Sequence, residues 1–188
     1  MELFAGSLTQ HLLMHGYIDD DQTEWCHYAI VHRTMNVLSF FLLALVGSLF
    51  VDWRAVVLFI TTFRLLRVRT GGYHAKTPHT CLMVSLCVQF VALFAAHYIQ
   101  SRLLYGIISV VSLCVILKLA PANNAAIHLT QDEMNALRPA IWIRAMIVLI
   151  CGGFCLLLSD TLWGGCIIAG LASDAVLLVL STCGLGVQ

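Results

Sequence analysis

The sequence predicts an all-α membrane protein with about six transmembrane helices and an N-terminal amphipathic helix. Of its 188 residues, 60% are hydrophobic and only 11% are charged, and the mean hydropathy is +0.90. Soluble domains do not have such a composition. About 20 consecutive apolar residues span a bilayer, and the apolar segments lie at about 37–51, 53–63, 82–99, 103–117, 141–158 and 161–182. We expect residues 1–188 to form a single integral membrane domain.

The N-terminal segment, residues 1–28, lacks the basic start of a cleavable signal peptide and ends in an acidic run at residues 19–24. Apolar residues recur in it at helical spacing, which favours a cytoplasmic helix lying on the membrane. An ordinary packed helix would have the same pattern. The residues concerned are Leu3, Phe4, Leu8, Leu12 and Leu13.

The second apolar segment, 53–63, is the weakest candidate for a span because it is short and flanked by Arg54 and Arg64. Both arginines can extend toward the lipid headgroups. The segments at 82–99, 103–117, 141–158 and 161–182 are longer and carry few charges.

Basic residues in short loops mark the cytoplasmic side of a membrane protein. They cluster between the second and third segments and around the connection between the fourth and fifth. We therefore expect both loops and both termini in the cytoplasm, with short external turns near residues 52–54, 100–102 and 159–160. The basic residues are Arg64, Arg67, Arg69 and Lys76 in the first loop, and Lys118, Arg138 and Arg144 around the second.

The eight cysteines do not predict a disulfide framework. Six of them lie within apolar segments, where cysteine acts as a small buried hydrophobe: Cys87, Cys114, Cys151, Cys155, Cys166 and Cys183. Cys26 lies beside His27 but lacks basic neighbours. Cys81 differs, because a basic, Gly-rich and His-containing stretch precedes it.

His74 and Cys81 are the candidate catalytic pair, since an imidazole can take a proton from a thiol and return it to a leaving amine. In one continuous helix, seven residues would separate them by about 10.5 Å along the axis. Thr77 and Pro78 instead predict a helix start near Pro78. Cys81 would then lie in the first helical turn, where free N–H groups favour the thiolate, and His74 would lie outside the helix.

Arg67 either marks the cytoplasmic boundary or orients a substrate carboxylate or carbonyl group, and Gly71-Gly72 either gives the site backbone freedom or forms a plain turn. No acidic residue occurs between Asp52 and Asp132. This positive stretch suits an acidic peptide or anionic lipid headgroups.

Candidates for orienting the histidine are Asn123 and Asp174, together with Asn124, Asp132 and Glu133. Asp174 lies within the sixth apolar segment, where a carboxyl group is costly and suggests function. It could equally be a neutral, hydrogen-bonded group that packs helices together.

We expect no metal site and no cofactor. The spacing of His74, His79 and Cys81 matches no zinc pattern. Gly-x-Ser-x-Gly and phosphate-loop motifs are absent from the sequence, which argues against a serine hydrolase and a nucleotide-driven protein.

The arrangement Arg-x4-Gly-x-His-Ala-x5-Cys, formed by Arg67, Gly72, His74 and Cys81, resembles the motif of the AgrB family, the accessory gene regulator B membrane peptidases. A second match is Ala120-Pro-Ala-Asn-Asn124, which is similar to the Ala-Pro loop of that family. Here the usual Lys-rich continuation is replaced by Asn-Asn-Ala-Ala-Ile-His.

The resemblance implies a cysteine endopeptidase in the bacterial cell membrane, with its active site on the cytoplasmic side. Its substrate would be a quorum-sensing propeptide with an acidic C-terminal tail, which it would cleave through a thioester and release as a thiolactone or lactone. His74 and Cys81 would be catalytic, and the substrate would contact Arg67, Gly72, Arg69 and Lys76. Membrane lipids are another expected partner, a homodimer is one option, and nucleic acid is not an expected partner. The alternative is a non-enzymatic transporter or assembly protein with a basic cytoplasmic loop.

Overall fold

The computed structural model describes residues 2–71, 78–123, 130–158 and 161–183, and these residues form seven α-helices and one short 3-10 helix, without strands. The 3-10 helix is Asp20–Gln22. The α-helices are α1 (Glu2–Met14), α2 (Thr23–Ser48), α3 (Trp53–Thr70), α4 (Pro78–Tyr98), α5 (Arg102–Leu119), α6 (Gln131–Leu158) and α7 (Thr161–Thr182).

The predicted all-α membrane fold is confirmed. Each of the six apolar segments falls on one of the helices α2–α7. Among the described residues, four stretches are helical, long and apolar enough to cross a membrane, and the apolar part of α4 is shorter. The six spans therefore stay a prediction for α3 and α4. The four stretches are Asp20–Ser48, Arg102–Leu119, Gln131–Leu158 and Thr161–Thr182.

Three helices extend at least seven residues beyond one end of the apolar segments from which they were predicted. α2 begins at Thr23, α6 begins at Gln131 and α3 continues to Thr70. Residues 64–70, expected in a loop, are therefore helical. Hydropathy misses such ends because local hydrogen bonds and a continued buried face extend a helix past its apolar run.

The start of α6 is a capping box, in which two residues satisfy each other's backbone N–H groups. Glu133 N donates to Thr130 Oγ1 at 3.3 Å, and Thr130 N donates to Glu133 Oε2 at 2.8 Å. The end of α3 instead continues the buried face of the helix, since Phe59, Leu66 and Thr70 are all buried.

The described chain divides into two compact units, residues 1–42 and 43–188. The first contains α1, the 3-10 helix and most of α2. In α1, Ala5 and Thr9 are buried one turn apart, and Thr9 Oγ1 donates to the carbonyl oxygen of Ala5 at 2.8 Å. The predicted N-terminal helix is present, while its position on the membrane surface stays a prediction.

The second unit is built around α7, which packs against α3, α4, α5 and α6. Most of α7 is buried, whereas large apolar side chains on the other helices are exposed, as expected of surfaces that face lipid. The main core cluster consists of Leu66, Ile116, Ala120, Ala122, Ile141, Ala145, Val148, Ile167, Leu171, Ala175 and Leu178.

Helices α3 and α7 run in the same direction. Thr62 of α3 lies against Gly170 of α7, and Thr70 further along α3 bonds to Asp174 further along α7. By contrast, α6 runs antiparallel to α7, because Gly152 lies against Ile168 and the later Leu156 lies against the earlier Gly164.

Tyr105 joins three helix ends at the other end of this unit. Its Oη donates to the carbonyl oxygens of Ala96 and Ile99, at 3.2 Å each, and its ring lies against Gly165. The end of α4 and the starts of α5 and α7 therefore meet there. We call this the Tyr105 end of the unit, and the opposite end, which holds the last turn of α3, the first turn of α4 and residues 120–122, the Thr70 end.

Candidate functional site

The last turn of α3 is closed by Arg67 and Gly71. Gly71 N donates to the Arg67 carbonyl oxygen at 3.3 Å, and Arg67 Nη1 donates to the carbonyl oxygen of Gly71. Gly71 has φ +68°, a value that favours glycine. The chain therefore turns sharply where it leaves α3 toward the predicted catalytic residues.

A buried polar pair lies directly beneath this turn. Thr70 Oγ1 donates to Asp174 Oδ1 at 3.0 Å, and both residues are 0% exposed. The Arg67 guanidinium interacts electrostatically with the same carboxyl group. Asp174 Oδ2 is buried and has no hydrogen-bond partner within the described part of the chain.

The connection after α5 docks on the same turn. Ala122 N donates to the Thr70 carbonyl oxygen at 2.8 Å, and a Cβ added to Gly71 would lie 3.2 Å from the Ala122 carbonyl oxygen. Ala120 and Ala122 are buried, and the Ala120-Pro121 peptide bond is cis. Residues 67–71, which include Arg67 of the first motif match, are thus in contact with residues 120–122 of the second match.

Helix α4 begins at Pro78, as the sequence predicts, and the backbone of Cys81 lies in its first turn. The side chains of Cys81 and His79 lie outside the described part of the structure, as do Gly72, His74, Lys76 and Thr77 entirely. The roles predicted for these residues stay predictions.

Of the other predicted site residues, Arg67 and Asp174 are brought together, while Arg69 and Asn123 are exposed. Asn123 directly follows Ala122 in the chain. Sequence analysis missed Thr70, which bonds to both Asp174 and Ala122. The one available signal was its place just before Gly71-Gly72, because a separation of 104 positions between Thr70 and Asp174 hides their pairing.

Among the described residues, no group of three His, Cys, Asp or Glu side chains is arranged to hold a metal ion. The predicted absence of metal stays a prediction, because the side chains of His74, His79 and Cys81 are not included.

The amino-acid sequence is similar to those of known proteins. The family model for accessory gene regulator B matches residues 2–181, nearly the whole chain. The chain belongs to the accessory gene regulator B family. It is accordingly a membrane protein of an accessory gene regulator, and the resemblance inferred from Arg67, Gly72, His74 and Cys81 is confirmed at the level of the family.

This member of the family is also similar to Protein FsrB of Enterococcus faecalis, with 23% identity over 137 residues. The match covers 71% of this chain but 56% of the relative, so the chain spans little more than half the length of that protein. No solved structure matches the chain.

Proposed function

We propose that this protein is a multi-pass membrane cysteine endopeptidase that cleaves the C-terminal tail from a quorum-sensing propeptide and assists ring closure. The observation that carries this proposal is the start of α4 at Pro78, which puts Cys81 in a first helical turn at the Thr70 end. Free N–H groups and the helix dipole at that position favour a thiolate. Membership of the accessory gene regulator B family supports a propeptide as the substrate.

The reaction begins when the Cys81 thiolate attacks the carbonyl carbon that joins the peptide core to its tail. The C–N bond breaks, His74 donates a proton to the departing amine, and a thioester links the core to Cys81. A cysteine thiol of the peptide then gives its proton to His74 and attacks the thioester. Cys81 leaves as a thiolate, and the core is released as a thiolactone.

A thioester replaces a thioester in the second step, so this scheme needs no ATP and no cofactor. A serine at the ring position would give a lactone by the same route. Water has to be kept from the intermediate, because hydrolysis would open it. A site at the cytoplasmic membrane boundary, at the Thr70 end, assists this exclusion.

The acidic tail of the substrate is attracted by the basic stretch that precedes Cys81. Arg69 is exposed at the end of α3 and is the described residue best able to contact it. Lys76 and Gly72 follow in the segment that leads to Cys81. Arg67 also belongs to the basic stretch, but its guanidinium donates to the carbonyl oxygen of Gly71. Membrane lipids surround the helices. A homodimer is compatible with the scheme, which needs one copy of each catalytic group.

The test is cleavage of a co-expressed candidate propeptide that has an acidic C-terminal tail, followed by mass analysis. We expect Cys81→Ala and Cys81→Ser to insert in the membrane but to leave the peptide uncut, and His74→Ala to be equally inactive. His79→Ala is the control and should keep most of the activity. Normal processing by Cys81→Ala would end the proposal, and equal loss at both histidines, together with sensitivity to chelators, would favour a metal enzyme.

A further inference from the structure

The reaction proposed for Cys81 and His74 does not use the buried polar group beneath the last turn of α3. It consists of Arg67, Thr70 and Asp174, which we call the polar clamp. Asp174 is 0% exposed in a helix that crosses the core, and a carboxyl group in such a place is costly unless it is paired. The contacts of Asp174 indicate what offsets the free-energy cost of burying its carboxyl group.

In the described part of the chain, the polar side-chain contacts of Asp174 all involve the last turn of α3. Asp174 Oδ1 accepts from the Thr70 hydroxyl at 3.0 Å, and its charge acts on Arg67. Arg67 in turn donates to the carbonyl oxygen of Gly71. Both side chains that Asp174 engages therefore belong to the final turn of α3, one residue and four residues before Gly71.

The connection between α5 and α6 also bonds to the last turn of α3. Ala122 N donates to the Thr70 carbonyl oxygen at 2.8 Å, and Ala122 lies in the core cluster with Leu66 and Ala175. Thr70 is thus held through its side chain by α7 and through its backbone by the α5–α6 connection. Helix α7 and the α5–α6 connection therefore both hold the last turn of α3 just before Gly71.

We propose that Arg67, Thr70 and Asp174 are positioning residues, which fix the point from which the segment carrying His74 leaves α3. This inference rests on the proposed endopeptidase function. His74 lies three residues beyond Gly71, at most about 10 Å of extended chain, so a small rotation at Gly71 changes where His74 can reach. A misplacement of about 1 Å costs on the order of 100-fold in rate.

The polar clamp assigns different roles to two arginines that are neighbours in the sequence. The guanidinium of Arg67 is bonded to Gly71 and interacts electrostatically with Asp174, whereas Arg69 is exposed. Arg67 therefore acts through the turn, and Arg69 is the cation that meets the acidic tail of the substrate.

The first experiment breaks the bond between Thr70 and Asp174 and measures kcat and KM separately on purified, reconstituted protein with a synthetic propeptide. Thr70→Val and Asp174→Ala should each lower kcat by about 10- to 100-fold and change KM by less than about 2-fold. The double variant should lose little more than the worse single variant, because both act through one contact. Thr70→Ser keeps the hydroxyl group and should restore most of kcat.

Thr62→Val is the matched control for Thr70→Val. Thr62 is also buried on α3 and lies against Gly170 of α7, but it has no role in the clamp. It should leave kcat unchanged. An equal fall in kcat for both valine variants would mean that packing of α3 on α7 is what matters, and would overturn the positioning role.

The second experiment compares Arg67→Gln with Arg69→Gln on two substrates, one with the acidic tail and one with its tail acids neutralised. Arg69→Gln should raise KM for the acidic substrate only. Arg67→Gln should lower kcat by the same factor for both substrates. If the Arg67→Gln defect disappears with the neutral tail, Arg67 binds substrate and the clamp is wrong.

The two proposals fail in different ways. An unsubstituted protein that leaves the propeptide uncut would overturn the endopeptidase function and the clamp with it. An active unsubstituted protein beside a Thr70→Val variant with unchanged kcat would overturn the clamp alone.

Discussion

Glycine residues set how closely the helices around α7 approach one another. A Cβ on Gly164 would lie 2.7 Å from Leu156 Cγ and 2.8 Å from Leu156 N, and one on Gly165 would lie 2.7 Å from Tyr105 Cζ. A Cβ on Gly170 would lie 3.2 Å from the carbonyl oxygen of Phe59. These small residues of α7 are therefore used within the chain, so their presence is no sign of a homodimer.

We expect Gly164→Ala to lower the free energy of unfolding by about 1–3 kcal/mol, because the new methyl group meets backbone that cannot move aside. Gly153→Ala is the control, since a Cβ there meets nothing within 4 Å. It should be neutral or stabilise α6 by up to about 1 kcal/mol. Thermal unfolding of both variants in the same detergent measures the difference, and equal midpoints would contradict the close approach.

Single residues of the site were predictable where chemistry marks them and not where packing does. Arg67 and Asp174 stand out in the sequence, because one belongs to a basic run and the other is a carboxyl group in an apolar segment. Thr70 resembles any threonine at a helix end. Its importance comes from a partner 104 residues away, and no local pattern encodes such a contact.

At the level of helices, the start of α4, which a proline marks, was predicted, whereas the starts of α2 and α6 and the end of α3 were not. Proline has a fixed φ and no N–H group, so Thr77-Pro78 marks the beginning of α4 directly. The end of α3 was predicted too early, because Arg64, Arg67 and Arg69 lower the hydropathy while the buried face continues through Leu66 to Thr70. Hydropathy averages around the helix, whereas burial depends on one face.

The turn at Gly71 should be intolerant of a side chain for two reasons. In Gly71→Ala, φ of +68° costs about 1–2 kcal/mol for a residue with a Cβ, and the methyl group would press on the Ala122 carbonyl oxygen. We expect lower stability and loss of propeptide cleavage. The control is Gly16→Ala, which has φ +69° but open space around the Cβ. It should show the conformational cost alone and keep cleavage, and equal activity in both variants would contradict a role for the Gly71 turn.

The start of α4 makes a prediction about Cys81. If Pro78 fixes the first residue of α4, Pro78→Ala lets the helix extend toward His74. This extension separates Cys81 from His74 and slows cleavage without removing either group. Alkylation by iodoacetamide at neutral pH, compared with Cys87 on the same helix, should be fast for Cys81 in the parent protein and slower in Pro78→Ala. A Cys81 no faster than Cys87 in the parent would leave the thiolate without support.

In the whole molecule, the directions of the helices agree with the topology expected from the basic residues. α3 and α7 are parallel, and α6 runs against α7. The loop after α3 and the loop after α5 accordingly meet at the Thr70 end, where Ala122 bonds to Thr70. The distribution of basic residues predicted that these two loops lie on the same side of the membrane, because basic residues mark whole loops as cytoplasmic. It could not predict which residues touch.

Labelling with a membrane-impermeant maleimide tests this topology. Arg69 and Arg102 are both exposed, one at the end of α3 and one at the start of α5. On a Cys81→Ala background, Arg102→Cys should react in intact cells and Arg69→Cys only after the cells are opened. The protein without an added cysteine gives the background. Reaction of both variants from one side would contradict the predicted crossing of α4.

The central place of α7 has a consequence for how the protein is made. The ribosome delivers Asp174 104 residues after Thr70, which at about 5–20 residues per second is a delay on the order of 5–20 s. Throughout that interval the chain contains α3 but lacks the helix that covers its two buried threonines. A nascent chain that has passed Cys81 already contains both proposed catalytic groups, yet it lacks the carboxyl group that anchors their segment. Under the proposed endopeptidase function, we therefore expect cleavage only from copies in which translation has passed Asp174 and α7 has inserted.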